Sequence, residues 1–209
     1  MRVLAVFAHP KRSSFTGALL DALLDGLAEA GHAAEIADLH AEGFDPRFDL
    51  ADLAQFEPGG AMPEAIRREQ ARVDRADGLA FVFPVYWWSF PAMLKGWIDR
   101  VWSQGWAYDF TPARSRGKLA DRPVALLGSA GSRASTYRRY GYDRAMTTAI
   151  DVGILGYCGL TNVATSIFHD VNEDPAILAA HLAEARRIGR EFGAWPRPDR
   201  TKPGPERAA

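Results

Sequence analysis

Cysteine is nearly absent from this sequence of 209 residues, which contains Cys158 and no other. A single thiol excludes an intramolecular disulfide and is typical of proteins from a reducing compartment. Cys158 stands in the apolar stretch 154–160, which favours a buried structural thiol over a nucleophile. Stability must therefore come from a hydrophobic core, and a chain of this length can form one without disulfides or metals. We expect no metal site.

An excess of either charge is also lacking. The 25 Lys and Arg residues are balanced by 26 Asp and Glu residues, for a formal net charge of −1 at pH 7. This balance excludes the basic surface that nucleic acids or anionic membranes would require. Membrane-spanning apolar runs are missing as well, and the N-terminal run Val3–Ala8 is too short for a signal peptide. We therefore expect a cytoplasmic protein with no nucleic-acid partner and no membrane insertion.

What the sequence does contain is an alternation of buried strands and amphipathic helices. Short apolar runs predict strands, and apolar residues spaced three and four apart predict helices. The five predicted strands are Val3–Ala8, Ala34–Leu39, Gly78–Pro84, Val124–Ser129 and Asn162–Phe168. The predicted helices span Phe15–Ala30, Pro63–Ala76 and Arg144–Tyr157, and two more begin at Pro91 and at Asp174 with Pro175. The segment His40–Gly60 has no strong periodicity and predicts a long excursion.

This alternation predicts an α/β fold with a doubly wound parallel sheet and helices on both faces. For five strands the simplest choice is the flavodoxin-like order 2-1-3-4-5. We assign residues 1–195 to this single domain and residues 196–209, rich in Pro and charge, to a loosely ordered tail. Ligands of such sheets bind beyond the carboxyl ends of the strands, where the strand order reverses. The loops after the first, third and fourth strands therefore carry the candidate site.

The loop after the first strand, His9–Thr16, leads directly into a helix. Free amides, the helix dipole and Ser or Thr hydroxyls at such a junction fit a phosphate group. The sequence has no G-x-G-x-x-G or Walker pattern, which argues against the standard dinucleotide and P-loop sites. The alternative is that Ser13 or Ser14 only caps the helix.

The loop after the third strand, Pro84–Pro91, is dense in aromatic residues. Strand-to-helix corners lie at the surface, so this cluster calls for a planar ligand, a second subunit or both, the alternative being simple core packing. The loop after the fourth strand, Gly128–Tyr137, is rich in Gly and Ser. Such small residues let backbone amides approach a ligand closely, although they are also common in ordinary loops.

These loops and their neighbours carry a family resemblance. The sequence resembles the NAD(P)H dehydrogenase (quinone) family, the flavodoxin-like quinone reductases that include the ancillary reductases of potassium-efflux systems. The similarity extends over about residues 3 to 192, and its middle block separates this family from true flavodoxins. The matching segments are Ala8–Pro10 with Ser14 and Phe15, Phe83–Trp88, Pro91–Val101, Gly105–Tyr108 and Ile154–Gly159.

The resemblance implies a bound flavin, FMN or FAD, and NADPH or NADH as the hydride donor. It also implies which residues contact the flavin. The phosphate end would be held by His9, Ser14, Phe15, Thr16 and Ala18; the isoalloxazine would be lined by Pro84, Val85, Tyr86, Trp87 and Trp88, with Ser129, Ala130 and Gly131 along its other edge. Family members are homodimers whose active sites draw residues from both chains. Such a dimer would bury the aromatic side chains of Trp88, Trp102, Trp106 and Tyr108.

Two departures from the family pattern concern the groups beside the flavin. The third loop, often Thr-Thr-Gly-Gly in relatives, reads Gly-Ser-Ala-Gly here, so it offers fewer side-chain donors. Some relatives also place a Tyr and, a few residues later, a His at the flavin pyrimidine. Tyr137 fits the first position as a catalytic and cofactor-binding residue. Tyr140 or Tyr142 would take the second, or the role is absent, because no His lies between His40 and His169.

The resemblance thus implies an NAD(P)H oxidoreductase that passes hydride through flavin N5 to a quinone or similar acceptor by a ping-pong mechanism. Azo compounds, nitro compounds and free flavin are alternative acceptors, because the sequence shows no acceptor-specific group. Two other classes stay open. One is an electron-carrier flavodoxin, which would rely on a strongly charged docking surface. The other is a regulatory subunit of a potassium-efflux transporter.

Overall fold

The computed structural model describes residues 1–57, 60–111, 114–172 and 174–196. Five parallel strands form its central sheet, and a two-stranded antiparallel hairpin lies outside that sheet. In chain order the strands are β1 (Arg2–Phe7), β2 (Ala33–Asp38), β3 (Gly78–Pro84), β4 (Tyr108–Thr111), β5 (Arg114–Gly117), β6 (Pro123–Ser129) and β7 (Asn162–Phe168). The sheet order is β2-β1-β3-β6-β7, which confirms the predicted order 2-1-3-4-5 once the hairpin β4–β5 is set aside.

Helices cover both faces of the sheet. They are α1 (Phe15–Glu29), α2 (Leu50–Ala54), α3 (Glu64–Asp74), α4 (Ala92–Val101), α5 (Ala134–Tyr140), α6 (Tyr142–Met146), a π-helix (Thr147–Gly156) and α7 (Pro175–Arg190). Leu4 and Val6 of β1 pack with α3, α4 and the π-helix, whereas Val3 and Ala5 pack with α1 and α7. Because successive residues of a strand point to opposite faces, this split of the core confirms the doubly wound fold.

The structure contains three features that the sequence patterns do not predict. The excursion after β2 includes the short helix α2, whose capping box joins Asp49 and Asp52 through reciprocal bonds to backbone amides. The hairpin β4–β5 follows α4. The helical region expected over Arg144–Tyr157 begins earlier, at Ala134, and is divided. Gly141 adopts a left-handed φ of 72°, which ends α5 and separates it from α6. Its second half is the π-helix rather than α-helix.

The excursion between β2 and α3 is held against α4 by a buried ion pair. Arg100 Nε donates to Asp52 Oδ2 at 2.8 Å, and the Asp52 side chain is fully buried. The same guanidinium donates to the Asp45 carbonyl oxygen at 2.6 Å and lies over the Phe44 ring, 5.7 Å from its centroid. Asp52 Oδ1 has no hydrogen-bond partner among the described residues. Arg100 is therefore the anchor on which the excursion depends.

Cys158 is buried, as predicted. Burial raises the pKa of its thiol to about 12, so the thiolate is scarce at neutral pH. Cys158 thus has the environment of a packing residue and not that of a nucleophile.

Membrane-crossing helices and clusters of metal ligands are both missing from the described residues. No helix there is long and apolar enough to cross a membrane. No group of His, Cys, Asp and Glu side chains in the same residues is arranged to hold a metal ion. Of the predicted tail, residues 197–209 lie outside the described part of the chain.

Candidate active site

A cleft of about 280 Å³ lies at the carboxyl ends of the central strands. The strand register explains its position. Pro84 at the end of β3 pairs with Ser129 at the end of β6, and Ser129 pairs with Phe168 at the end of β7. The three loops predicted from the sequence therefore meet at one edge. Of the predicted residues, the structure brings together around the cleft His9, Ser14, Phe15, Thr16, Pro84, Val85, Tyr86, Ser129 and Gly131.

The loop after β1 ends in the N-terminus of α1. Ser14 is the N-cap, and its Oγ accepts the amide of Gly17 at 3.2 Å. The amides of Phe15 and Thr16 belong to the first turn, where no helical carbonyl precedes them. Thr16 Oγ1 lies 2.8 Å from Ser129 Oγ, which ties the first loop to the third. Capping and anion binding are thus compatible here, because Ser14 caps the helix and two amides stay available.

The first loop lies in close contact with the start of α1. A Cβ added to Gly17 would collide with the carbonyl oxygen of Arg12. The Arg12 side chain donates to the Gly17 carbonyl at 3.1 Å and forms an ion pair with Asp21. The path of the loop around the helix N-terminus therefore depends on glycine at position 17.

His9 contributes a neutral donor to the same wall. Its Nδ1 lies 3.0 Å from both the amide nitrogen and the carbonyl oxygen of Lys11. Burial lowers the pKa of the imidazole below its ordinary value, which favours the neutral ring at pH 7. The tautomer that accepts the Lys11 amide at Nδ1 keeps its Nε2–H as a donor. No Asp, Glu, Lys or Arg lines the cleft within the described residues, so the positive helix terminus faces no competing carboxylate.

The loop after β3 turns back on itself through two tryptophans. Tyr86 and Ser89 exchange backbone hydrogen bonds of 3.2 and 3.1 Å, and Trp87 and Trp88 between them have φ values of 49° and 56°. Left-handed backbone costs a non-glycine residue roughly 1–2 kcal/mol. Trp87 is 88% exposed, whereas Trp88 stacks on Tyr142 with ring centroids 3.9 Å apart. Strain maintained beside a cleft points to a functional surface.

The loop after β6 forms the opposite wall and leads to Tyr137. Val85 donates its amide to the Ser129 carbonyl at 2.8 Å, which fixes the second loop to the third. Tyr137 is buried, and that burial raises the pKa of its hydroxyl. The Tyr137 ring lies edge-on to Tyr142, with centroids 6.1 Å apart. The phenol therefore stays protonated at neutral pH and can act as a hydrogen-bond donor.

Six of the predicted residues do not line the cleft: Ala18, Trp87, Trp88, Ala130, Tyr137 and Tyr140. Tyr140 is 60% exposed, and its ring contacts Tyr142. Of these two tyrosines, Tyr142 is the one that contacts both Trp88 and Tyr137. Ala18 lines a different groove, between α1 and α7. Ala130 is buried in the third loop and bonds through its backbone to β7.

The aromatic residues assigned to a partner subunit are also placed differently. Trp102 is only 6% exposed and packs against Trp97 and Phe81 of its own chain, so the expectation that it needs a partner subunit is wrong. Trp88, Trp106 and Tyr108 are partly buried against the same core.

A fourth loop, after β7, was missed by the sequence analysis. Val171 and Asn172 line the cleft beside the third loop. A Cβ on Gly131 would come within 2.9 Å of Asn172 Nδ2, so the two loops are in contact. The strand order could have predicted this loop, because a fifth parallel strand ends at the same edge of the sheet as the other four.

The arrangement fits a flavin. Helix amides, the hydroxyls of Ser14 and Thr16 and the imidazole of His9 form a donor set suited to a phosphate. The apolar and aromatic wall of Val85 and Tyr86 suits one side of a planar ring system. The cleft thus combines a donor set for the phosphate of a flavin nucleotide with an apolar wall for its ring system.

Comparisons with known proteins agree with this geometry. The family model for the flavodoxin-like fold (Flavodoxin_2) matches residues 1–189. A Haemophilus influenzae protein named as an uncharacterized NAD(P)H oxidoreductase is 32% identical over 173 residues, which cover 82% of this chain and 85% of that protein. The human ribosyldihydronicotinamide dehydrogenase (quinone) is 32% identical over 185 residues, which cover 79% of this chain and 80% of that protein.

A solved structure gives the same result. The NAD(P)H:quinone oxidoreductase from Methanothermobacter marburgensis is 36% identical and superposes with a TM-score of 0.83, covering 91% of this chain and 98% of that one. Both the family model and the curated relatives span most of this chain. The chain therefore belongs to the flavodoxin-like family that contains these NAD(P)H oxidoreductases and quinone reductases.

Proposed function

We propose that this protein is a flavin-dependent NAD(P)H oxidoreductase that reduces a quinone or a similar acceptor. The observation that carries the proposal is the cleft in which the N-terminus of α1 and the aromatic loop after β3 meet. The chemistry supplied by a bound flavin is hydride exchange between NAD(P)H and an acceptor. Because donor and acceptor would use the same open face in turn, we expect ping-pong kinetics.

In this proposal the residues of the chain bind the flavin and orient its ring. The amides of Phe15 and Thr16, with the hydroxyl of Thr16 and the His9 imidazole, hold the phosphate. The second loop, with Tyr86, Trp87 and Trp88, would form a wall for the ring, and Ser129 and Gly131 of the third loop would lie along its other edge. The Tyr137 hydroxyl would serve as a hydrogen-bond donor to negative charge on a bound flavin, and a preorganised donor of this kind stabilises charge without reorganising.

The direct test is the cofactor itself. The protein is purified from cells, denatured, and the released chromophore is identified by chromatography against FMN and FAD. We expect one flavin per chain, and oxidation of NADPH or NADH that depends on added quinone. A colourless protein that binds neither FMN nor FAD on titration would overturn the proposal. Parallel assays with azo compounds, nitro compounds and free flavin rank the acceptors, and direct reduction by NAD(P)H excludes an electron carrier.

Titration of the apoprotein with FMN and with FAD also shows which of the two flavins the protein prefers. The groove between α1 and α7 has a volume of about 460 Å³ and is lined by Ala18, Asp21, Ala22, Asp25, Leu182, Ala183 and Arg186. Ala18 lies one position beyond the first turn that offers its amides to the phosphate. The groove is therefore the place where the adenylate of FAD would extend. Tighter binding of FAD than of FMN means that the groove takes part; equal affinities mean that the phosphate and ring sites suffice.

Changing Tyr137 to phenylalanine should slow flavin reduction and leave flavin binding intact. The substitution keeps the ring packed and removes one donor, which is worth about 1–1.5 kcal/mol, or about tenfold in rate. Anaerobic stopped-flow absorbance with NAD(P)H measures the reductive half-reaction. Tyr140→Phe is the matched control, because it removes the same hydroxyl from a side chain that is 60% exposed, whereas Tyr137 is buried. An unchanged rate in Tyr137→Phe would remove Tyr137 from the mechanism.

The proposal includes a homodimer with active sites at the subunit interface. The exposed apolar side chains of Phe110, Val152 and Tyr157 support it, and we take them as one apolar patch because a ring contact joins the hairpin to the end of the π-helix. Tyr108 and Tyr157 meet edge-on with centroids 5.3 Å apart and join the hairpin β4–β5 to the π-helix within this patch. The hairpin and the π-helix would thus form the shared surface.

A charge placed in this patch should dissociate the dimer. Val152 is 62% exposed in the single chain, so Val152→Glu leaves the fold intact but buries a carboxylate on association. We expect sedimentation to show a monomer at concentrations where the parent is dimeric. Leu50→Glu is the matched control: Leu50, 83% exposed, lies in a second apolar patch on α2. A dimer that survives Val152→Glu and is lost in Leu50→Glu would place the interface on α2 instead.

A further inference from the structure

The loop after β7 is bonded to the third loop of the candidate active site, although the proposed function gives it no role. Val171 donates its amide to the Ala130 carbonyl at 3.3 Å, and the Ala130 amide donates to the Phe168 carbonyl at 2.8 Å. The end of β7 and the loop 169–172 are therefore attached to the third loop at both backbone hydrogen-bonding groups of Ala130.

His169 occupies the point where the two loops meet Tyr137. Its Nδ1 lies 3.1 Å from the Ser132 carbonyl oxygen, to which the Nδ1–H tautomer donates. Its ring meets Tyr137 edge-on, with centroids 4.5 Å apart and planes at 73°, a favoured geometry for aromatic pairs. The His169 carbonyl accepts a hydrogen bond from His181 Nε2 at 2.7 Å, which fixes the residue from the side of α7.

The backbone that follows His169 is strained. Asp170 has a φ of 59°, in the left-handed region that few non-glycine residues adopt. Its carboxylate lies 3.9 Å from Arg133 Nε, at the start of α5. Such strain persists only where the surrounding structure imposes it, and it clusters at functional sites. The turn at Asp170 lets His169 and Val171, on either side of it, both contact the third loop.

We propose that His169 is a positioning residue of the flavin site. Its hydrogen bond to Ser132 holds the third loop, which contacts the flavin in the proposed function, and its ring holds Tyr137. The two contacts use different parts of the imidazole, so they can be removed separately. This inference rests on the proposed function, because it assigns His169 to residues that act on the flavin.

Two substitutions at this position test the two contacts. His169→Phe keeps a ring against Tyr137 and removes the donor to Ser132. His169→Asn keeps a donor where Nδ1 stood and removes the ring. We expect His169→Phe to bind FMN and FAD at least fivefold more weakly, while the bound flavin is reduced at the parent rate. We expect His169→Asn to keep the affinity within twofold and to be reduced at least fivefold more slowly.

Three measurements decide the outcome. Apoprotein is titrated with FMN and FAD, reduction by NAD(P)H is followed anaerobically, and thermal unfolding checks the fold. The control is His32→Asn, at a histidine that contacts the N-terminus of the chain. Parent-like affinity and rate in both variants would overturn the inference, as would equal loss of both quantities with a lowered melting temperature, which marks a merely structural role. A parent protein that binds neither flavin refutes the proposed function itself, and the inference with it.

Discussion

Replacing Gly17 with alanine should weaken the binding of both FMN and FAD at least about 100-fold. The added Cβ would collide with the Arg12 carbonyl oxygen, so the loop after β1 has to move away from the start of α1. The amides of Phe15 and Thr16 then lose their alignment with the phosphate. Two charge-assisted hydrogen bonds, at about 1.5–3 kcal/mol each, correspond to at least about 100-fold in the dissociation constant. Quenching of flavin fluorescence on titration of the apoprotein measures it.

Gly26→Ala provides the matched control for this result. Gly26 lies on the same helix, and a Cβ there would collide with the Arg186 carbonyl oxygen of α7, far from the first loop. Both substitutions therefore force two backbone segments apart, but only one of them disturbs the phosphate wall. We expect Gly26→Ala to lower the melting temperature and to keep the affinity for FMN, which does not reach the groove between α1 and α7, within about threefold. Equal loss of flavin in both variants would mean that general destabilisation, and not the loop, causes the effect.

The three inner strands of the central sheet, β1, β3 and β6, could be predicted because they are buried on both faces. Gly78–Pro84 is buried along its whole length, and such a strand appears in the sequence as an unbroken apolar run. The hairpin β4–β5 gives no comparable pattern, since Asp109 and Phe110, which follow each other in β4, are both exposed. The short helix α2 is likewise stabilised by a local capping box and not by an apolar stripe.

The part of the candidate site that follows from the strand order could be predicted. Three loops follow buried parallel strands, and parallel strands end at one edge of a sheet, so their meeting follows from the strand order. The contact of His169 with Tyr137 could not be predicted, because it depends on the register of β7 beside β6 and on one strained residue, Asp170. Similarly, the burial of Trp102 in its own core follows from packing against Phe81 of β3 and Trp97 of α4, which residue spacing alone does not specify.

The second large effect concerns stability. Arg100→Met should lower the free energy of unfolding by about 3–5 kcal/mol, the cost of leaving one partner of a buried ion pair without the other. Methionine fills a similar volume, so the loss comes from the charge and not from a cavity. The Asp52 carboxylate, fully buried, would face an apolar side chain, and the Asp45 carbonyl would lose its donor. Urea denaturation, followed by circular dichroism, measures the change.

A second substitution distinguishes two causes of the lost stability, the unpaired Asp52 carboxylate and the lost contacts of Arg100 with Asp45 and Phe44. In the Arg100→Met background, Asp52→Asn removes the unpaired carboxylate but keeps an oxygen that can still accept the Asp49 amide. If the stranded charge dominates, the double variant should recover about 1–3 kcal/mol of the loss, and the two substitutions should be strongly non-additive. Additive losses would mean that Arg100 acts mainly by holding the Asp45 carbonyl and the Phe44 ring. In that case the excursion is fixed by hydrogen bonding and packing, and the buried ion pair contributes little.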